Sequence, residues 1–384
     1  MELSAGYKNT EVGIIPEDWE VKRISEISPL QRGFDLPNRD LQRGDYPVVY
    51  SNGIMNHHNK FQVKAPGIVT GRSGTIGKIN YIEEDFWPHN TTLWVTDFNN
   101  NYPKYIYYLL HKIKIERFAT GSGVPTLNRN YVHDFRVALP CLTEQIAVAN
   151  ALSETDALIN NLEKLIAKKR NIKQGAMQML LTPRKTWEVK KLGEIADITK
   201  LAGFEYSNYF NSYNDGGEII VVRGINITHN RMDLTDVKYI PRTTSNFLQR
   251  SKLKKNDLVF AYVGTIGPIF LIDENDKYHL GPNTSKITSR SELYPLFLFH
   301  YFTSELIKKE IIDNTSIGAQ PSLSMSKIRS FKIILPPLTE QISIATILSD
   351  MDKEITALEA KLEKYRKVKL GMMQNLLTGK IRLI

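Results

Sequence analysis

Two stretches of this chain carry one pattern of apolar and polar positions. Residues 139–182 read LPCLTEQIAVANALSETDALINNLEKLIAKKRNIKQGAMQMLLT, and residues 335–378 read LPPLTEQISIATILSDMDKEITALEAKLEKYRKVKLGMMQNLLT. They align without a gap at an offset of 196, and 23 of 44 positions are identical. In the second stretch Leu348, Ile355 and Leu362 recur every seven residues, and Met351, Leu358, Tyr365 and Met372 follow three positions later. That is the a/d seam of a coiled coil. The first stretch keeps Leu152, Ile159, Leu162 and Ile166 on the seam but sets Thr155 and Lys169 at weaker positions. Pro140 and Pro336–Pro337 stop whatever precedes them, since proline disfavours helix at the residue before it. Thr143 and Thr339 stand where an N-cap belongs, and the Glu after each suits the positive end of a helix dipole. About 38 helical residues at ~1.5 Å each make a rod of roughly 57 Å. Globular helices usually run about 8–20 residues, so a rod with one narrow apolar seam predicts a partner. The pattern therefore predicts two long helices paired in one coiled coil. Gly175 and Gly371 mark either close approach of the rods or a local break.

The halves also agree outside the rods. Trp19-Glu20-Val21-Lys22 returns as Trp187-Glu188-Val189-Lys190, each leading into a short apolar stretch, RISEI or KLGEI. Strand-like runs follow, YPVVYSNGI at 46–54 and EIIVVRGIN at 218–226. GRSGTIGKI at 71–79 answers AYVGTIGPI at 261–269, and His89-Asn90-Thr91-Thr92 answers Pro282-Asn283-Thr284-Ser285. A short helical pattern comes next, then a glycine-bearing loop with Pro125-Thr126-Leu127 or Pro321-Ser322-Leu323. A last strand, FRVALP or FKIILP, feeds the rod. Trp19 to Gly74 is 55 residues, whereas Trp187 to Gly264 is 77. The rods are thus matched residue for residue while the globular heads diverge, which favours two different specificities over simple drift.

Composition narrows the class. The 384 residues allow two or three domains, and 42% apolar content suffices for ordinary cores. A net charge of +9 and pI near 9.2 point to a polyanionic partner. The single cysteine, Cys141, excludes disulfides and cysteine-based zinc sites. The N-terminus lacks a signal-peptide profile. The apolar run Leu258 to Ile272 contains Gly264, Gly267 and Pro268 and falls short of a membrane span of ~20 residues. It reads as strand–turn–strand in a cytoplasmic protein.

Candidate chemistry is sparse. GRSGTIGK at 71–78 resembles a phosphate-binding loop, but Arg72 stands where glycine is needed and Ile79 where Ser/Thr is needed. A tight turn between strands remains, one that brings backbone amides, Arg72, Thr75 and Lys78 toward a DNA backbone. Glu20-x-Lys22 and Glu188-x-Lys190 lack the partner carboxylate of a nuclease metal site. His57-His58 reads as a solvated loop. No catalytic constellation and no metal site emerge, so the chain is expected to bind rather than catalyse. Arg pairs with guanine and Asn with adenine in the major groove. The loop residues expected to touch DNA are Arg72, Ser73, Thr75, Lys78, Asn90 and Thr91 in the first half, and Arg223, Asn226, Tyr262, Thr265, Asn283 and Thr284 in the second.

On these residues the chain resembles the specificity (S) subunit of a type I restriction–modification system. The likeness rests on the LPxLTEQ openings at 139–145 and 335–341, the LLT exits at 180–182 and 376–378, the W-E-V-K segments and the GTIG turns. The resemblance implies an α+β chain with an internal pseudo-two-fold repeat. Two globular α/β target-recognition domains would be separated by two long antiparallel helices forming a coiled coil. Residues 1–140 would be the first recognition domain, 141–182 the central conserved helix, 183–336 the second recognition domain and 337–384 the C-terminal conserved helix. Helix pairing would fall to Leu152, Ile159, Leu162, Ile166, Leu348, Met351, Ile355, Leu358, Leu362 and Tyr365. Each head would read one half of a split sequence in double-stranded DNA. The chain would carry no cofactor. It would dock two methyltransferase (M) subunits using S-adenosylmethionine, and the complex would recruit restriction (R) subunits that need ATP and Mg2+. The competing classes are a stand-alone DNA nuclease or methyltransferase, and a coiled-coil adaptor that binds only protein.

Overall fold

A computed structural model describes residues 6–121, 125–210, 216–316 and 321–383. The chain divides into two compact units, Met1–Leu165 with Glu359–Ile384, and Ile166–Leu358. Each takes one head and part of both long helices.

In the first unit the W-E-V-K segment becomes the strand Glu20–Arg23, pairing antiparallel with Arg136–Leu139. Val-, Ile- and Thr-rich segments build a four-stranded antiparallel sheet ordered Leu30–Arg32, Thr92–Val95, Gly67–Gly71, Ile79–Ile82. Beside it lies a three-stranded sheet in which Tyr46–Tyr50 pairs antiparallel with Gly53–His58 and parallel with Trp87–Pro88. His57 and His58 therefore belong to a strand rather than the expected loop. His58 is buried with its ring edge-on to Trp87, and its Nδ1 meets the backbone of Gln42, so packing has claimed it. Helix Pro103–Ile113 opens with proline at its first turn, where no N–H is missed. It buries Tyr105, Ile106, Leu109, Leu110 and Ile113 in a core that also takes Val148, Ala149 and Leu152 from the first long helix and Leu376 from the second.

The second unit repeats this plan. Glu188–Lys191 pairs with Lys332–Leu335. The four-stranded sheet runs Ala196–Lys200, Thr284–Ser289, Leu258–Ala261, Ile269–Leu271, and the three-stranded one Lys238–Ile240, Ile219–Val222, Tyr278–Leu280. Helix Pro295–Thr303 and the added helix Glu305–Asn314 close the core, with Ile344, Ala345 and Leu348 from the second long helix.

The long helices run Leu142–Leu180 and Leu338–Leu376, 39 residues each. Both pass through their glycine unbroken, and a Cβ at Gly175 or Gly371 would meet nothing within 4 Å. Within the first unit Arg366 pairs with Glu163 at 2.7 Å and Lys369 with Asp156 at 2.6 Å. Within the second, Lys169 pairs with Glu354 at 2.6 Å and Lys173 with Asp352 at 2.5 Å. In each unit one index rises as the other falls, so the helices run antiparallel. Leu152, Ile159, Leu162, Ile166, Leu348, Ile355 and Leu362 are buried, while Met351, Leu358 and Tyr365 are half-buried. Leu152 and Leu348 belong to the cores of the heads as well as to the seam pattern.

Thr143 and Thr339 are not the N-caps. The first helical bonds reach back to the carbonyls of Cys141 and Pro337, which accept from Gln145 N and Gln341 N at 3.0 Å each. Each threonine is the second helical residue, and the Glu and Gln after it have tertiary partners. Trp19 Nε1 donates to Glu144 Oε2 at 2.9 Å, and Trp187 Nε1 donates to Glu340 Oε2 at 2.9 Å. Gln145 Oε1 accepts from Tyr102 N at 2.9 Å, and Gln341 Oε1 accepts from Tyr294 N at 2.8 Å. These bonds lock helix start, first strand and head helix together in each unit.

Candidate nucleic-acid interface

In each head the sheet delivers three loops to one place. Gly67–Gly71 and Ile79–Ile82 are joined by the turn that carries Arg72 to Lys78. Gly74 and Gly77 take φ of +81° and +91°, and Gly264 and Gly267 take +77° and +116°, values that favour glycine. A Cβ on Gly71 would lie 1.8 Å from the Thr75 carbonyl oxygen, so the turn folds back too tightly for any side chain there.

The turn is tied to the two other motifs that the halves share. Arg72 N and Ser73 N donate to the Thr91 carbonyl at 2.8 and 3.3 Å, and Leu127 N donates to the Arg72 carbonyl at 2.7 Å. In the second head Tyr262 N donates to the Asn283 carbonyl at 3.1 Å, Gly264 N to the Pro321 carbonyl at 3.0 Å, and Leu323 N to the Tyr262 carbonyl at 3.0 Å. The GTIG turn, the Asn-Thr turn and the Pro-Thr-Leu or Pro-Ser-Leu loop thus form one cluster, built twice. The glycines at 123 and 318 of the glycine-bearing loops lie outside the described residues.

In the first cluster Thr75 and Lys78 are exposed, and Arg72, Ser73, Asn90 and Thr91 are half-buried. Lys78 Nζ donates to the Asn52 carbonyl at 2.6 Å, which brings the Ser51–Gly53 turn against the cluster. Asn90 Nδ2 donates to Asp35, which Arg32 also holds at 2.9 Å. The His89 ring lies 4.3 Å from that of Tyr50, and its Nδ1 meets Thr91 Oγ1 at 3.0 Å. Burial pushes its pKa below the ordinary histidine value, so it is a neutral partner here.

The second cluster divides the expected residues. Thr265 and Asn283 are exposed. Tyr262 is half-buried against the core, and that burial raises its phenol pKa. Asn226 and Thr284 are buried, contrary to expectation. Asn226 Oδ1 accepts from Arg223 Nε at 3.0 Å and its Nδ2 donates to the Asp236 carbonyl at 2.6 Å. Thr284 Oγ1 donates to the carbonyls of Val222 and Gly281 at 3.1 and 2.8 Å. Both side chains serve the backbone, as buried polar groups must, and neither presents itself to a polyanion. Arg223 is occupied as well, its guanidinium donating to Asn226 and to the Asp236 carbonyl and lying 3.2 Å from an Asp236 carboxylate oxygen.

Two features escaped sequence reasoning. One is a cationic crowd around Lys286, on the strand that follows the Asn-Thr turn: Lys286 Nζ donates to the carbonyls of Arg250 and Lys252 at 2.7 and 3.1 Å. Burial, with Lys254 and Arg250 nearby, lowers the Lys286 pKa despite Asp257. The other is Ile225, exposed between the two occupied side chains of Arg223 and Asn226. Among the described residues no group of three or more His, Cys, Asp or Glu side chains is placed to hold a metal ion. No helix of the described residues is long and apolar enough to cross a membrane.

Comparison with known proteins bears on what these clusters meet. The chain is 29% identical to the type I restriction enzyme MjaVIII specificity subunit of Methanocaldococcus jannaschii, across 96% of this chain and 94% of that one. It is 22% identical to the type I restriction enzyme EcoBI specificity subunit of Escherichia coli, across 92% and 80%. The crystal structure of a type I restriction–modification system S subunit from M. genitalium superposes with a TM-score of 0.65 at 16% identity, covering 98% of each chain, and so shares the fold. The model of the family described as type I restriction modification DNA specificity domain matches twice, at residues 16–174 and 184–365, once over each head and much of the long helix after it. The chain belongs to that family.

Proposed function

We propose that this chain is the sequence-reading subunit of a type I restriction–modification complex, with each head reading one half of a split DNA target. One observation carries the reading: both family matches fall on heads that build the same three-loop cluster and then dress it differently. Arg72, Ser73 and Lys78 stand in the first where Tyr262, Val263 and Pro268 stand in the second. A shared scaffold with unlike surfaces suits two unlike half-sites. Phosphate contacts supply affinity and register, while base edges supply discrimination.

In this reading the chain has no catalytic role of its own. Two methyltransferase subunits supply S-adenosylmethionine chemistry, restriction subunits supply the steps that need ATP and Mg2+, and the complex works in the cytoplasm. The paired long helices are the surface on which those subunits assemble. The test is an exchange of residues 20–138 for the same region of a relative, followed by methylation mapping of cells carrying the chain with its methyltransferase partner. The cut falls within the paired strands Glu20–Arg23 and Arg136–Leu139 and spares the Trp19–Glu144 bond. One half of the methylated sequence should change and the other stay. A change in both halves, or in neither, overturns the reading.

A further inference from the structure

We infer that Ile225 is a base-reading residue of the second head and makes apolar contact with the 5-methyl group of a thymine in that head's half-site. The inference rests on the DNA-reading function proposed above. It starts from how firmly Ile225 is held. The buried strand Ile219–Val222 ends beside the Asn-Thr turn, where the Val222 carbonyl accepts from Gly281 N at 3.0 Å and Thr284 Oγ1 at 3.1 Å. The next residues, Gly224–Asn226, form one turn of 3-10 helix. Asn226 is only 2% exposed and closes that turn, its Oδ1 accepting from Arg223 N at 3.3 Å and Arg223 Nε at 3.0 Å. A Cβ on Gly224 would stand 3.7 Å from Cβ of Ala261, the residue that feeds the GTIG turn.

Ile225 rises from this frame 65% exposed. A single exposed aliphatic residue is ordinary on a protein surface. One fixed by a buried amide at the edge of the loop cluster is not. The first head also exposes aliphatic side chains after its matching strand, though on the returning strand Gly53–His58 and not on a capped 3-10 turn. There the strand Tyr46–Tyr50, which also pairs in parallel with its neighbour, leads into a turn held by Lys78 Nζ on the Asn52 carbonyl. Just beyond it Ile54 and Met55 are 48% and 62% exposed. The thymine methyl is the apolar group that base edges offer in the major groove. A rigid aliphatic side chain among polar loops can separate T·A from the other pairs there.

The test uses the wild-type complex, assembled with its methyltransferase subunits, and its own bipartite target. The second half-site is the one that exchange of residues 20–138 leaves unchanged. Each thymine in it is replaced singly by uracil, which deletes only the methyl. At one position uracil should weaken binding about four-fold, the factor for burying one methyl-sized group. Ile225→Ala should weaken binding to the thymine duplex by a similar factor and respond no further to uracil at that position. Ile225→Val should keep part of the discrimination. Indifference to uracil throughout, continued uracil sensitivity in Ile225→Ala, or a half-site lacking thymine on both strands would each overturn the inference. A loss on Ile225→Ala without any uracil effect would mark a wedge between base steps and overturn it too. A wild-type complex with no preferred sequence would instead defeat the proposed function, a different and separable result.

Discussion

Arg382 should matter far more to stability than Arg184, although both follow a Leu-Leu-Thr exit and both reach the Glu of a Thr-Glu-Gln turn. In the first unit Arg382 Nε donates to Glu144 Oε1 at 2.6 Å and Nη2 to Oε2 at 2.8 Å, while the same guanidinium holds Asp18 at 3.0 and 2.7 Å. The Glu144 side chain is 0% exposed and that of Arg382 21%. In the second unit Arg184 lies 2.5 Å from Glu340, but their side chains are 62% and 22% exposed. Stripping a buried carboxylate of its counterion costs about 3–5 kcal/mol. Water can enter where the partly exposed Arg382 stood, so the lower end, about 3 kcal/mol, applies to Arg382→Ala. Arg184→Ala should cost about 0–1 kcal/mol, the range of exposed pairs. At a urea slope of about 3 kcal/mol per molar, these become midpoint shifts of about 1 M and under about 0.3 M. Hydrogen exchange in urea would follow each unit separately, through Glu20–Arg23 with the start of the first long helix and through Glu188–Lys191. Glu144→Gln added to Arg382→Ala should recover part of the loss, because a neutral amide still accepts from Trp19 without needing a counterion. Equal shifts for the two arginines, or no recovery, would refute the reasoning.

Three further outcomes follow from single sites. Lys78→Ala should weaken DNA binding about equally on all sequences and lower the salt slope by roughly one, because its exposed ammonium suits a phosphate contact; salt titration on specific and unrelated duplexes checks this. Burial and the nearby Lys173 push His300 down to about 4, against a partial opposing effect of Asp352, whereas unfolded histidine titrates near ~6.5. The unfolded chain takes that proton first, so this contribution is intact above about pH 6.5 and is lost as pH falls toward the folded value. His300→Tyr should lower the acid-unfolding midpoint of the second unit; an unchanged midpoint would count against it. Gly175→Ala and Gly371→Ala should each add about 1 kcal/mol and raise Tm by about 2–4 °C, since both sites are helical and open; a fall in Tm would refute this.

Periodicity and repetition made the rods, the strand–turn–strand of the GTIG region and the three shared loop motifs legible in the sequence. What meets what was not legible, because the decisive contacts join residues far apart: Trp19 and Glu144 are 125 positions from one another. Read locally, Thr-Glu-Gln is a cap signal. In the fold its Glu and Gln turn away to a tryptophan and a head-helix backbone, and proline-bounded carbonyls start the helix instead. Asn226 and Thr284, expected at the surface, are buried for a related reason. A short polar side chain on a loop can face solvent or satisfy a neighbouring backbone group, and only tertiary burial decides which.

The same contacts explain why the rods kept their likeness while the heads did not. Lys369 pairs with Asp156 in one unit and Lys173 with Asp352 in the other. Position for position, each lysine belongs to one copy of the repeat and its aspartate to the other. A change in either copy is therefore felt by a partner fixed in the other, and compensation requires two linked changes. Tyr108 bonded to Asp156 at 2.8 Å, and His300 bonded to Ser349 at 2.8 Å, show how far such a site tolerates substitution when the new side chain still offers a hydrogen bond. Among the described residues Thr75, Lys78, Thr265 and Asn283 answer to no such partner in the other copy. Their loops are free to diverge as long as the backbone bonds that gather them survive, and those bonds are blind to side-chain identity. Divergence is thus channelled onto the surfaces proposed to read DNA, which is the division of labour a two-headed reader requires.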